Sequence, residues 1–146
     1  MQKAILVDID GTLADVNHRV HHVQAQTKDW KAFNEGMVHD ELNLWCRDLI
    51  LAMKDKGYKT VFITGRGESY RTETLEWMKK HKIEVDELFM RPKSDRREDS
   101  DVKKEIYVDQ IKDKYEVLFV VEDRASVVKM WREIGLVCLQ CDVGDF

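Results

Sequence analysis

The sequence predicts an α/β domain of Rossmann-like, three-layer α/β/α form. Two observations carry this. Five short apolar runs recur along 146 residues, and segments of helical period lie between them. Strands that alternate with amphipathic helices pair in parallel, and the crossover helices cover both faces of the sheet. One Pro and seven Gly leave little room for disorder or low complexity. At this length a single domain over residues 1–146, with a real core, is expected.

Lys3-Ala-Ile-Leu-Val7 opens the first strand, read as 3–9. The next stretch, Val16 to His39, breaks the alternation and is read as a small insertion holding Trp30 and Phe33 on a short helix. It is either a lid over the strand ends or a long connection packed on the rim. Residues 40–56 then place Leu42, Trp45, Leu49, Ile50 and Met53 on one helical face, and Gly57 ends that helix. Tyr58 to Thr64 is the second strand, and the helix over 70–81 turns Leu75 and Met78 inward. Glu87 to Met90 is the third strand, followed by a helix over 101–114 with Val102, Ile106 and Ile111 inward. Val117 to Glu122 and Leu136 to Gln140 are the last strands. Between them the helix over 125–134 buries Val127, Val128, Met130, Trp131 and Ile134 and stops at Gly135.

Chemistry gathers where these strands end. Asp8-Ile-Asp10-Gly-Thr12 follows the first strand. Alternation along a strand sends residues 8 and 10 to the same side, and Gly11 allows a sharp turn. Ligands of open α/β sheets bind at the carboxyl ends of the strands. Two close carboxylates there bind a divalent cation or divide nucleophile and acid roles; a polar turn is the plainer alternative. The second strand ends in Thr64-Gly65-Arg66, where a hydroxyl, free N–H groups and a planar guanidinium suit a phosphate. The fourth ends in Glu122-Asp123, and buried paired acids need a cation or hydrogen bonds. Lys103, read in the first turn of its helix, is a solvated lysine or the group that neutralises a transferring phosphoryl. Arg91-Pro-Lys-Ser-Asp-Arg-Arg97 is a basic loop near the same ends.

The bulk properties narrow the classes. A net charge of −4 argues against coating long nucleic acid but not against binding one terminal phosphate or a nucleotide. No apolar stretch spans a bilayer, and three cysteines suit a reducing, cytoplasmic setting. Cys138 and Cys141 have CxxC spacing within a strand, where a structural role is expected. His18, His21, His22 and His39 are read as a polar rim rather than a zinc site. GxxxxGK[ST] is absent, so no P-loop kinase is encoded in these residues.

Asp8-x-Asp10, Thr64, Lys103 and Glu122-Asp123, in this order, resemble the haloacid dehalogenase superfamily of phosphotransferases. More closely, the chain resembles the 3′-phosphatase domain of bacteriophage polynucleotide kinase/phosphatase. Asp123-Arg-Ala-Ser-Val-Val-Lys-Met-Trp-Arg-Glu-Ile-Gly135, Val102-Lys-Lys-Glu-Ile106 and the ending Gly144-Asp-Phe146 carry that resemblance. The shared ending suggests a complete domain.

The resemblance implies a Mg²⁺-dependent phosphomonoesterase acting on 3′-phosphates of DNA or RNA ends or of nucleotides. It implies Asp8 as nucleophile, forming an aspartyl-phosphate, and Asp10 as general acid and base. Thr64 and Lys103 hold the phosphate; Arg19, Gly65, Arg66 and Arg91 hold the rest of the substrate. Asp8, Asp10 (through its carbonyl), Glu122 and Asp123 form the metal set, and Asp99 matches an acid ahead of the lysine. Glu122 departs from the usual Asp, and Thr64 from the phage Ser. The kinase domain is missing, so a separate kinase or ligase is an expected partner. Two alternatives stand beside this reading: a small-molecule phosphatase or nucleotidase of the same superfamily, and a non-catalytic module that binds phosphate ends.

Overall fold

The computed structural model describes residues 1–144; Asp145 and Phe146, which complete the Gly-Asp-Phe ending, lie outside the described residues. The first half of the chain runs β1 (Gln2–Val7), β2 (Ala14–Asp15), α1 (His21–Gln24), α2 (Trp30–Glu35), β3 (Glu41–Leu42), α3 (Leu44–Asp55) and β4 (Lys59–Gly67). The second half runs α4 (Arg71–Lys80), β5 (Glu87–Arg91), α5 (Asp99–Ile106), β6 (Tyr115–Glu122), α6 (Ala125–Glu133) and β7 (Cys138–Gln140).

Five strands form one sheet in the order β5-β4-β1-β6-β7, and every pairing is parallel. Alternation along β1 shows how two layers are built from one strand. Ile5 and Val7 join Phe62, Cys46, Ile50, Met53, Trp77 and Met78 on the face covered by α3 and α4. Ala4 and Leu6 join Val61, Ile63, Val102, Ile106, Val127 and Trp131 on the face covered by α5 and α6. Both faces of the central strand are fully buried, and burying one such aliphatic side chain is worth about 1.5–3 kcal/mol.

The strand order reverses at β1, the chain filling one side with β4 and β5 and the other with β6 and β7. That reversal opens a crevice at the strands' carboxyl ends, where Asp8 stands. A second feature shapes this edge. The β4–β5 register pairs Thr64 with Met90 but Gly67 with Arg91, so Gly65 and Arg66 form a bulge in β4. Bulges re-aim side chains, and this one carries the Thr-Gly-Arg motif.

Several expectations need correction. The first strand ends at Val7, not residue 9, because Ile9 accepts the backbone N–H groups of Thr12 and Ala14 in a tight turn. The helix expected over 40–56 starts at Leu44, because Glu41–Leu42 pair antiparallel with Ala14–Asp15. Its buried stripe is Cys46, Ile50 and Met53, whereas Trp45 is exposed. On α4 the inward residues are Thr74, Trp77 and Met78, and Leu75 faces outward. Thr74 is turned in because its hydroxyl accepts from Arg66 (3.2 Å). The helix expected over 101–114 starts at Asp99 and its regular part ends at Ile106, followed by a π turn at Tyr107–Ile111. The last strand is shortened to Cys138–Gln140.

The segment that broke the alternation is framed by the β2–β3 ribbon. Val23, Phe33 and Met37 are buried, and Val23 and Phe33 join the α3/α4-side core. Trp77 Nε1 donates to the Asp40 carbonyl (3.0 Å), pinning the end of the segment to α4. Among the described residues, no helix is long and apolar enough to cross a membrane, and the three cysteines are free.

Candidate active site

Two buried charge clusters meet at the carboxyl edge of β1. The first is acidic. Asp8 follows β1, Glu122 ends β6, and Asp123 follows it; carboxylate oxygens of all three lie within 4.8 Å of one another. They form the only such metal-capable group found among the described residues, and the histidines are outside it. One cation reaches this cluster. Lys103, in the second turn of α5, donates from Nζ to Asp8 Oδ1 (2.9 Å) and Glu122 Oε1 (2.8 Å), with Asp99 Oδ2 at 3.4 Å. It is 1% exposed, so the solvated reading of this lysine is wrong. Lys103 lies on the inward stripe of α5 with Asp99, Val102 and Ile106, which carries its side chain into the core.

Glu122 uses its length. Its Oε1 meets Lys103 while Oε2 accepts from the backbone N–H groups of Asp123 (3.2 Å) and Arg124 (3.3 Å). Thr12 Oγ1 lies 3.1 Å from Asp8 Oδ2 and 3.4 Å from Asp123 Oδ1, tying the first turn to the last. At Gly11, with φ +81°, any Cβ would collide with the Asp123 carboxylate, so this turn requires glycine.

Lys103 is shared by Asp8, Glu122 and Asp99, with Asp123 beside them, and the electrostatics record the imbalance. Burial and the charge of Asp8 push Glu122 up to about 8 and Asp123 up to about 10. Burial opposes the charge on Lys103, but Asp8, Asp99 and Glu122 override it and hold the ammonium well above its ordinary pKa. A buried cluster with this excess of carboxylates fits a hard divalent cation, which takes oxygen ligands.

The second cluster is balanced. Asp10 Oδ1 accepts from Arg19 Nη2 (2.7 Å) and from Arg66 Nη2 (2.7 Å) and Nε (3.0 Å). Asp40 takes the remaining donors: Arg19 Nε and Nη2, both at 2.7 Å, and Arg66 Nη2 at 3.4 Å. His18 Nε2 lies 2.6 Å from Asp40 Oδ1. Arg19 also donates to the Phe33 carbonyl (2.8 Å) and stacks over the Phe33 ring (4.3 Å). Burial alone would raise the pKa of Asp10, but Arg66 and Arg19 hold it well below the carboxylate range.

The expected site residues thus fall into distinct surroundings. Asp8, Lys103, Glu122 and Asp123 come together. The Asp10 carboxylate points away from them into the arginine cluster. Arg19 and Arg66 are 1% and 2% exposed and spend their donors on Asp10, Asp40 and nearby protein acceptors. Thr64 is fully buried, its Oγ1 accepting from the Arg66 N–H (3.1 Å) across the bulge. Gly65 lies against Asp99, whose carboxylate a Cβ would strike. Arg91 donates to the carbonyls of Gly65 (2.9 Å), Asp95 (3.2 Å) and Arg97 (2.6 Å), so its guanidinium braces the β5–α5 loop.

Asp40 was missed. It sits at the end of the insertion, read as the start of a helix, and no local pattern marks it. Cys141 was read as structural; its Sγ lies 3.6 Å from Thr12 Oγ1, beside the acidic cluster.

Comparisons with known proteins give a consistent result. The family model for the polynucleotide kinase PNKP phosphatase domain matches residues 2–146. A protein of Autographa californica nuclear polyhedrosis virus, named as a bifunctional polynucleotide kinase/RNA ligase, is 31% identical over 139 residues. That match covers 92% of this chain and only 18% of the viral protein. A chain of the solved Pnkp1/Rnl/Hen1 RNA repair complex superposes with a TM-score of 0.88 at 35% identity, over 100% of this chain and 44% of that one. A class C acid phosphatase from Bacillus anthracis shares the fold, with a TM-score of 0.66 at 16% identity over 87% of this chain and 54% of that one. The chain therefore spans less than half the length of the first two.

Proposed function

The chain belongs to the polynucleotide kinase PNKP phosphatase-domain family, within the haloacid dehalogenase superfamily, and from that premise we propose that it removes 3′-phosphate from polynucleotide ends. The observation that carries the chemistry is the division between Asp8 and Asp10. Two residues apart in sequence, one carboxylate faces a lysine in an acid-rich cluster and the other is held by two arginines.

In this reading Asp8 attacks phosphorus in line, forms an aspartyl-phosphate and expels the sugar oxygen. Lys103 already contacts the attacking carboxylate and neutralises charge on the phosphoryl group as it passes. Thr64 and the Gly65 backbone hold phosphate oxygens at the bulge. Asp10 is ionised at rest, which suits it to take a proton from the water that hydrolyses the intermediate. To act first as acid it must take up a proton from solvent, which becomes possible once a phosphate dianion competes for Arg19 and Arg66. That proton passes to the leaving sugar oxygen and is replaced by one from the attacking water. In the resting site these arginines position Asp10, and during turnover they are shared with the phosphate; Arg91 braces the loop.

Asp8, Glu122 and Asp123, with the Asp10 carbonyl, would hold Mg²⁺. When bound, that ion supplies neutralising charge to the carboxylates and to the phosphate. A kinase or ligase activity acting on the same polynucleotide ends is the proposed partner, in keeping with the named activities of the viral relative.

The test is phosphate release from matched oligonucleotides bearing a 3′- or a 5′-phosphate, with Mg²⁺ and an Asp8→Asn control. Release from the 3′ end alone, lost in the control, is expected. Equal turnover of both ends, or turnover of small phosphomonoesters only, overturns the end assignment and leaves a general phosphatase of the same superfamily.

A further inference from the structure

We propose that Trp30 is a stacking platform for a base of a single-stranded polynucleotide end, carrying the strand across the insertion next to the phosphate site. The inference rests on the phosphatase reading and deepens it. Trp30 opens α2 and is 44% exposed. It is nonetheless linked to the reaction centre by successive contacts. Its ring meets Phe33 edge-on, with centroids 5.7 Å apart and planes at 86°. The Phe33 ring lies 4.3 Å from the Arg19 guanidinium carbon, and the Phe33 carbonyl accepts from Arg19. Arg19 in turn holds Asp10 at 2.7 Å. Phe33 is 2% exposed, so the indole projects from a buried anchor with its plane fixed.

The surroundings suit an anionic strand. Lys28 Nζ lies 5.6 Å from the Trp30 ring centroid, and the His21 and His22 rings, in contact and tilted by 40°, sit on the neighbouring α1. The nearby acids have protein partners: Asp29 caps α2 by accepting from Ala32 N–H (3.0 Å), and Glu35 lies 3.9 Å from Lys31. Base–aromatic stacking contributes about 1–3 kcal/mol per base and tolerates any sequence. An enzyme that heals ends of arbitrary sequence needs that tolerance, because hydrogen bonds to base edges would restrict it.

The experiment compares wild type, Trp30→Ala and Trp30→Phe on two single-stranded 3′-phosphorylated oligonucleotides. One is intact; the other is abasic at its last two nucleotides. Trp30→Ala is expected to raise KM about tenfold on the intact strand with little change in kcat. It should leave the abasic strand unaffected, and Trp30→Phe should keep most of the affinity. An equal rise on both strands, or none, overturns the proposal. If wild type releases no 3′-phosphate, the phosphatase reading fails on its own, and binding decides the stacking. Quenching of tryptophan fluorescence by an unphosphorylated oligonucleotide, present in wild type and lost in Trp30→Phe, then supports the platform. Quenching that is absent or identical in both overturns it.

Discussion

The two halves of the site solve opposite problems. Around Asp10, two carboxylates face two guanidiniums, every group is paired, and the charges cancel without a ligand. Around Asp8, Lys103 is shared by Asp8, Glu122 and Asp99, Asp123 stands beside them, and among the described residues the balance is left open. The difference separates preorganisation from binding capacity. The balanced half fixes a carboxylate in one geometry. The acidic half stores repulsion that a cation or a proton relieves. Removing a charge should therefore destabilise one half and stabilise the other.

The largest effect comes from Asp8→Asn. Loss of the proposed nucleophile should lower kcat by more than about a thousandfold, read as phosphate release. The same substitution removes a negative charge from the crowded cluster, so the inactive variant should melt at a higher temperature than wild type in EDTA. Asp40→Ala tests the other half. It strips a buried carboxylate from Arg19, Arg66 and His18, and breaking a buried ion pair by removing one partner costs about 3–5 kcal/mol. Chemical denaturation of both variants checks the contrast; equal signs would mean that the halves do not differ as their charges indicate.

The two halves also differed in how readily the sequence disclosed them. Asp8, Glu122 and Asp123 follow apolar runs that must be buried strands, and parallel strands bring their carboxyl ends together. Lys103 is ambiguous in the sequence because a lysine beside the apolar Val102 and Ile106 reads equally as the solvated flank of their stripe; only the carboxylates brought to it by β1 and β6 make its burial favourable. The balanced half depends on tertiary placement. Asp40 reaches Arg19 and Arg66 only because the β2–β3 ribbon closes the insertion and Trp77 pins its end. No periodicity encodes those contacts. Likewise the Thr64-Gly65-Arg66 motif was visible, but the bulge that aims Arg66 at Asp10 is a property of strand pairing. Trp45 and Leu75 fall on the apolar faces that helical period assigns, but period does not tell the flank of a stripe from its centre.

A middle-sized effect follows from pH and metal. Glu122 and Asp123, raised from ordinary values of 4.5 and 3.8 to about 8 and 10, bind protons in the folded state that the unfolded chain has released. Their contribution to stability is complete below about pH 4 and is lost as pH rises through 8. Asp10 has the opposite sign: its depressed pKa gives stability above its ordinary 3.8 that disappears as the solution is acidified further. In EDTA the melting temperature should therefore peak in mild acid and fall toward pH 8. Mg²⁺ competes with the same protons, so its stabilising increment should grow with pH. At a hundredfold excess over Kd that increment is about 2.7 kcal/mol. Thermal unfolding between pH 4.5 and 8, with and without the ion, measures both trends.

The smallest predicted effect isolates Glu122, whose two oxygens serve different partners. In Glu122→Gln one end must become an N–H₂ donor. It faces either Lys103 or the backbone N–H groups of Asp123 and Arg124, all of them donors. Losing one of these hydrogen bonds costs about 1 kcal/mol, but above about pH 8, where Glu122 is ionised, removing its negative charge from the cluster offsets it. Metal-free stability should accordingly stay within about 1 kcal/mol of wild type. The cation feels no such compensation. It loses a negative charge from its surroundings while Lys103 remains, so the Mg²⁺ concentration needed to raise the melting temperature should increase about tenfold. An unchanged requirement would make Glu122 a brace for Lys103 and the α6 turn alone, leaving Asp8 and Asp123 to bind the ion.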